Sequence, residues 1–395
     1  MKKLLIHVLK IFNIITLLIP KKKTKIIFYS IPDFSGNSKF LFESLNKKYG
    51  KNFEYIWLVN EKFEKTEKFI NTHFIENSFL KIYHIITAKY LVSTHRKVNY
   101  LKDKNQIKIE LWHGMPLKAV SYMEEKYMSL EERKIFEKDD YLIATSTLTK
   151  MLLASCFSLN PQKIIVTGQP RNDKLSCKEE AIQKLKKIKN SLDENKKIIF
   201  YLPTFREGYE KRVEGKKIQD NNIFRMDDFK LERFSEFLNK NKLLLFIKLH
   251  PFEEKLYKDR IKSLENKNIK FITNEILKNK SIDLYEILGA GDLLITDYSS
   301  VYFDILMINM PVLFCIPDYD NYLEKRGLLL EPFDFWAPGP KVKSQIIMEK
   351  EILKLLKDKE YYFEERKIIN KIINKYQDNN SSDRVINFIF NKKNV

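Results

Sequence analysis

The sequence predicts an α/β protein made of two doubly wound Rossmann-type domains facing a central cleft. Three observations predict it. Short apolar, β-rich runs alternate with amphipathic stretches, the pattern of a mostly parallel sheet with helices on both faces. That pattern runs once to residue 166 and restarts after a highly charged helical stretch at 178–191. The chain of 395 residues is too long for one small core and comfortable for two such domains. The expected divisions are an N-terminal helix at 1–23, a first domain at 24–175 and a second at 176–395.

Residues 1–23 place Leu4, Leu5, Val8, Phe12, Ile15 and Ile19 near one helical face, with His7, Lys10 and Asn13 on another. The apolar stretch, about 16 residues, is shorter than the ~20 that a spanning helix needs, and no small-residue cleavage site follows. An amphipathic helix in the membrane interface fits, with Lys21, Lys22 and Lys23 drawn to anionic lipid. The competing reading is a helix packed on the protein's own surface. Strands are expected at 25–29, 53–59, 90–94, 107–112, 141–145 and 164–166, with a helix over 38–48 that stops at Gly50. The second set is expected at 198–202, 243–249, 269–272, 293–296 and 312–314. Residues 211–222 are polar and read as a mobile loop, and helices from about 345 to 391 close the chain.

Composition narrows the function. Hydrophobic content of 44% and aromatic content of 13% exclude a disordered chain. Cys156, Cys177 and Cys315 show no metal or redox spacing, which fits a reduced, cytoplasmic chain. The formal charge of +19 favours an anionic partner: nucleic acid, anionic membrane or a phosphorylated substrate. The lysines are scattered, so charge alone does not choose among these.

Each notable polar cluster falls just after an expected strand, the end at which open α/β sheets bind ligands. Residues 107–112 run into His113-Gly114, where an imidazole is well placed for general base work. Gly168-Gln169-Pro170-Arg171-Asn172-Asp173 forms a tight turn whose Arg171 suits a bidentate phosphate contact. Leu202-Pro203-Thr204-Phe205-Arg206 repeats the theme. Alternation sends Lys248 and His250 to one strand face, an odd choice for a buried strand unless that face meets a ligand. The strand at 293–296 stops at Thr296-Asp297, and Ser299 or Ser300 then opens a helix whose free N–H groups suit a phosphate. Asp304 lies one turn on, on the Ser300 face, and Arg326 follows the next strand. His95, after Ser93-Thr94, is a further candidate to line the cleft. Taken singly, each feature has a bland counterpart: a Ser cap, a structural histidine, a turn between domains, an Arg paired with surface acids.

In this order, Trp112-His113-Gly114, Gly168 to Asp173, Leu202 to Arg206, Lys248-Leu249-His250-Pro251 and Thr296-Asp297-Tyr298-Ser299-Ser300 with Asp304 resemble the CDP-glycerol glycerophosphotransferases. These are teichoic acid primases and polymerases, and the likeness spans residues 90–345. The resemblance implies a GT-B-like fold and a peripheral enzyme on the cytoplasmic face of a bacterial membrane. It implies transfer of a polyol phosphate from CDP-glycerol or CDP-ribitol to an undecaprenyl-linked saccharide or growing polymer, with release of CMP. It makes His113 the base that takes the acceptor proton and His250 a donor phosphate contact that stabilises charge or assists the leaving group. Asp297, Ser299 and Ser300, with Thr296, Lys248 and Asp304, belong to the donor side. Arg171, Arg206 and Arg326 are further phosphate contacts. No carboxylate set declares a metal site, so neither metal nor cofactor is expected. The first sheet begins almost at once, which favours a primase or short capsule-type transferase over a long-chain polymerase.

Two other readings compete. A GT-B glycosyltransferase would share the fold and release a nucleoside diphosphate. A basic membrane- or RNA-binding protein would have no turnover, and no nucleic-acid motif supports it. P-loop, dinucleotide, metal-pair and nucleophile-elbow motifs are all missing from the sequence.

Overall fold

The computed structural model describes residues 16–61, 69–123, 138–189, 192–206, 215–218 and 221–390. Most of the expected membrane-interface helix and part of the 211–222 loop lie outside the described residues. The chain divides into two compact units: Met1–Gly114 with Val120–Asp173 and Lys375–Val395, and Met115–Ala119 with Lys174–Asn374.

The first unit holds a seven-stranded sheet in the order β3-β2-β1-β4-β5-β6-β7, parallel throughout. Its strands are β1 (Lys22–Tyr29), β2 (Glu54–Leu58), β3 (Thr72–Ile75), β4 (Ala88–Ser93), β5 (Ile107–Glu110), β6 (Tyr141–Ala144) and β7 (Ile164–Val166). The strands read as nearly continuous apolar runs because helices cover both faces. Phe28 stacks on Trp57 and packs with Leu41, Val92, Ile109 and Ile143 on one face, and Ile27, Leu58, Leu91 and Val98 fill the other. Helix α1 (Gly36–Tyr49) stops at Gly50, as expected. Helix α2 (Ser78–Thr87) is capped by Asn77, and α3 (Thr147–Phe157) by a Ser146–Thr149 capping box.

The second unit repeats the plan with six parallel strands in the order β10-β9-β8-β11-β12-β13. In chain order it carries α4 (Lys178–Ile188), β8 (Lys197–Tyr201), α5 (Leu231–Lys240), β9 (Leu243–Ile247), α6 (Pro251–Leu256), β10 (Ile269–Phe271), β11 (Leu293–Thr296), α7 (Val301–Ile305), β12 (Val312–Cys315), β13 (Lys341–Val342), α8 (Gln345–Lys357) and α9 (Phe363–Ile373). Tyr201, Phe234, Leu245, Ile295, Leu313 and Met348 lie in its core. Each sheet reverses its strand order once, between β1 and β4 and between β8 and β11, and such a point is where these sheets bind ligands.

Four expectations need correction. The chain after 175 does not stay in one domain: α10 (Ser381–Ile389) belongs to the first unit and buries Val385, Ile386 and Ile389 in its core. Both Asp173 carboxylate oxygens accept bonds from the first backbone N–H groups of α10, Ser381 and Ser382, each at 2.9 Å. Gly168 has φ +80, a left-handed conformation that favours glycine, and it lies against this helix, where a Cβ would sit 2.5 Å from Ser381 Oγ. Second, β3 and β13 escaped sequence reading because they are short edge strands. β13 follows Gly339, where a Cβ would meet the Val312 carbonyl at 2.0 Å. Third, the helix after Ser300 has only five α residues before a 3-10 turn, so its dipole is weaker than expected. Fourth, Lys21 and Lys22 pair with Asp103 (2.6 Å) and Glu54 (2.8 Å) within the fold, so they are not simply held out to lipid.

Candidate active site

In the first unit the site grows from an unusual strand. β5 alternates Ile107, Lys108, Ile109 and Glu110, and both charged side chains are completely buried. Lys108 Nζ lies 2.9 Å from Glu110 Oε2, and Ser93 Oγ donates to the same oxygen at 3.0 Å. Glu110 Oε1 accepts the Trp112 N–H at 3.0 Å. Trp112 has φ +51, a left-handed conformation that a bulky residue adopts only when its surroundings impose it. The Arg96 guanidinium, bound by Asp139 at 2.6 Å, lies over the Trp112 and Phe157 rings and braces them. The backbone therefore turns sharply after β5 and presents His113 at the strand's carboxyl end.

His113 Nδ1 is 3.0 Å from the Thr94 carbonyl oxygen. A carbonyl only accepts, so Nδ1 carries the proton and Nε2 keeps its lone pair. Nε2 has no hydrogen-bond partner among the described residues. The His95 ring stacks on His113 at 4.6 Å with 5° between the planes. Enclosure by protein atoms pushes the His113 pKa down, the neighbouring His95 adds to this, and the Thr94 bond opposes it. His113 as a residue is exposed to solvent, which moderates the desolvation. The direction still leaves the imidazole neutral at neutral pH.

Arg171, expected to grip phosphate, is buried and donates from Nη1 to the His113 carbonyl oxygen at 2.8 Å. Its own N–H goes to Asn37 Oδ1, while Asn37 Nδ2 reaches the Leu111 and Trp112 carbonyls. Arg171 and Asn37 thus fasten the backbone around His113.

In the second unit, β9 ends at His250, whose Nδ1 accepts the Phe252 N–H at 3.3 Å. In the neutral ring the proton must then sit on Nε2. Phe205 and Phe252 flank the imidazole at 4.6 and 4.7 Å. Lys248 does turn out of β9 as expected, but it is buried and its Nζ lies 2.7 Å from Glu254 Oε2. Burial pushes the Lys248 pKa down, and Glu254 opposes that.

The stretch 296–300 divides into supports and presented groups. Thr296 Oγ1 donates to the Leu202 carbonyl at 2.7 Å. Asp297 accepts from the Thr204 N–H and hydroxyl, both at 2.9 Å, and from Arg206 Nη1 at 2.9 Å. Arg206 also holds Asp318 through Nε at 2.8 Å and lies over the Tyr298 and Tyr322 rings. Burial disfavours the Asp318 charge, but Arg206 outweighs it and holds the carboxyl below its ordinary range. Asp304 accepts the Tyr285 hydroxyl at 2.6 Å in the interior. These contacts of Thr296, Asp297, Asp304 and Arg206 thus all run to other groups inside the protein. Ser299, Ser300 and Arg326 are partly exposed.

Sequence reasoning missed Glu110 and Arg96. The available signal was the Lys-x-Glu alternation inside an apolar strand. Among the described residues no group of three or more His, Cys, Asp or Glu is arranged to hold a metal ion.

The sequence model of the family described as CDP-Glycerol:Poly(glycerophosphate) glycerophosphotransferase matches residues 11–391. The chain belongs to this family. It is 29% identical over 377 residues to a teichoic acid poly(glycerol phosphate) polymerase of Bacillus spizizenii, a match covering 91% of this chain and 90% of that protein. It is 26% identical over 387 residues to a teichoic acid poly(ribitol-phosphate) polymerase of the same species, covering 94% of this chain and 57% of that one. The solved structure of the wall teichoic acid polymerase TagF matches with a TM-score of 0.77 at 22% identity, covering 99% of this chain and 95% of that chain. That likeness shows the GT-B-like fold. This glycerophosphotransferase acts in teichoic acid biosynthesis, moving glycerol phosphate or a related polyol phosphate from its CDP conjugate to a teichoic acid acceptor and releasing CMP. The sugar-transferase and non-enzymatic readings are set aside. A relative of similar length is named a polymerase, so chain length does not favour a primase.

Proposed function

We propose that His113 is the general base and His250 the donor-side acid or hydrogen-bond donor of the transfer. One observation carries this: the backbone sets the two imidazoles in opposite tautomers, with Thr94 O taking the proton of one Nδ1 and Phe252 N–H occupying the other. The acceptor hydroxyl gives its proton to His113 Nε2 as its oxygen bonds to the phosphorus that bears the polyol. The bond from that phosphorus to the CMP oxygen breaks, and His250 Nε2–H stabilises the charge on the departing phosphate. Ser299, Ser300 and Arg326 are the remaining presented donors for the donor phosphates. Arg206, Lys248, Thr296, Asp297 and Asp304 act as supports within the second unit, and Arg171 supports His113 in the first.

Asp297 and Asp318 are already paired with Arg206, and Glu254 with Lys248, so we propose turnover without a metal. EDTA treatment should leave the rate unchanged; loss restored by Mg²⁺ would sink that part. The test of the whole reading is acceptor-dependent CMP release from CDP-glycerol and CDP-ribitol, with His113→Ala and His250→Ala beside wild type. Both variants should lose turnover, and full activity in either removes its histidine from the mechanism.

We further propose an undecaprenyl-linked acceptor reached at an anionic membrane surface on its cytoplasmic face. No described helix is long and apolar enough to cross a membrane. Helix α2 instead turns Phe79, Leu80, Ile82 and Tyr83 outward, with Phe79 83% exposed, and Lys23 is exposed in the same unit. Such a face suits interfacial binding. Vesicles containing anionic lipid should retain wild type and release Phe79→Ser/Tyr83→Ser; equal retention would place the contact elsewhere.

A further inference from the structure

We infer that His95 is a positioning residue for the base: its ring, stacked face to face on His113 and tied to Thr94, holds the His113 imidazole in the plane that aims Nε2 outward. This rests on the reading of His113 as the base.

The device is compact. Thr94 follows β4 and is anchored by its N–H to the Tyr29 carbonyl at 3.2 Å. Its carbonyl oxygen meets His113 Nδ1 at 3.0 Å, and its Oγ1 meets His95 Nδ1 at 2.9 Å. One residue thus engages both rings, and the rings lie 4.6 Å apart and nearly parallel. A single hydrogen bond to a carbonyl has broad angular tolerance, so it leaves an imidazole free to swing about that contact. A parallel ring removes that freedom. Trp112 also touches His113, but as its chain neighbour and tilted by 36°.

No carboxylate performs the orienting task. Glu110 is nearby, but its oxygens are engaged by Lys108, Ser93 and the Trp112 N–H. The other charged groups around the pair are Arg96, Lys97 and Arg171, all cationic. Burial disfavours a charge on His95, and Lys97 and Arg96 push the same way, so the stacked partner is a neutral ring. A neutral π face tolerates the imidazolium that His113 becomes in the reaction, whereas a charged one would oppose it.

The test compares His95→Ala, His95→Phe and His113→Ala with wild type. It measures kcat and KM for CDP-glycerol, the thermal midpoint, and the His113 tautomer in the substrate-free enzyme by 15N-histidine NMR. The His113→Ala spectrum assigns the His113 signal. His95→Ala should lower kcat about 30- to 100-fold with KM changed by less than about twofold, because orientation and not donor binding is lost. His113 should show a proton fixed on Nδ1 in wild type and a mixture of tautomers in His95→Ala. His95→Phe, which keeps a stacking face, should recover most of kcat and the single tautomer. A normal kcat and tautomer in His95→Ala overturn the inference. So does His95→Phe as damaged as His95→Ala, since the imidazole itself would then be required. If His95→Ala does not fold, the Phe variant decides on the same criteria. Activity retained in His113→Ala would instead sink the base reading, while the NMR comparison still judges the stack.

Discussion

The turns after β5 and after β9 look alike in sequence and differ in what they do to an imidazole. Both follow a parallel strand and carry a buried charged side chain just before the turn, Glu110 at the end of β5 and Lys248 directly after β9. At the first turn the Thr94 carbonyl, from the end of the neighbouring β4, faces His113 Nδ1, and in the second the turn's own Phe252 N–H faces His250 Nδ1. The first ring then keeps its lone pair on Nε2 and the second, when neutral, its proton there. The difference teaches that the acid or base character of a histidine can be set by one peptide group that no motif records.

Glutamine substitution tests this contrast at its largest. Either histidine replaced by alanine should reduce kcat/KM by ~10²–10⁴-fold. Glutamine at 250 still offers an N–H donor and should recover part of the loss, whereas glutamine at 113 is no base and should recover none. Equal recovery at both positions would break the comparison. The pH profile sharpens it. Enclosure lowers the His113 pKa, so the acid limb of kcat/KM should fall below the ordinary imidazole value of ~6.5. The sign for stability follows: with the folded pKa below the unfolded one, this contribution is present above ~6.5 and lost as pH falls toward the folded value.

The next effect separates supports from presented groups on the donor side. Arg206→Ala would leave Asp297 and Asp318 buried without their cation, and breaking such a pair costs about 3–5 kcal/mol. Urea denaturation should show that loss. Ser299→Ala should leave the denaturation midpoint in place and raise KM for CDP-glycerol about tenfold, the value of a hydrogen bond to a charged group. A stable Arg206→Ala protein with weakened donor binding would return Arg206 to the role its motif suggested.

The fold was legible because strand and helix periodicities differ, and eleven of the strands stand out as apolar runs between polar punctuation. β3 and β13 did not stand out, being edge strands of four and two residues with little apolar contrast. The return of α10 to the first unit was also hidden, since periodicity reports an apolar face and not the core that receives it. At the site, position after a strand picked out His113, His250 and the serines as candidates. It did not show that Arg206 and Asp297, about ninety positions apart, pair with each other in the interior. Glu110 and His95 act through contacts with Trp112 and His113 that exist only once β4 and β5 are paired.

The segment 168–173 carries the smallest prediction, because one short turn serves two ends of the first unit. Arg171 holds the His113 carbonyl, and two residues on Asp173 holds the start of α10. Asp173→Asn keeps one acceptor oxygen and replaces the other with a donor facing a backbone N–H. The loss is that of a helix cap, about 1 kcal/mol, read as a lowered thermal midpoint. Turnover at a temperature where the variant is folded should be unchanged, since the Asn37 and Arg171 bonds around His113 do not pass through α10. A fall in kcat without a fall in stability would mean instead that the seating of the C-terminal helix is transmitted to the base.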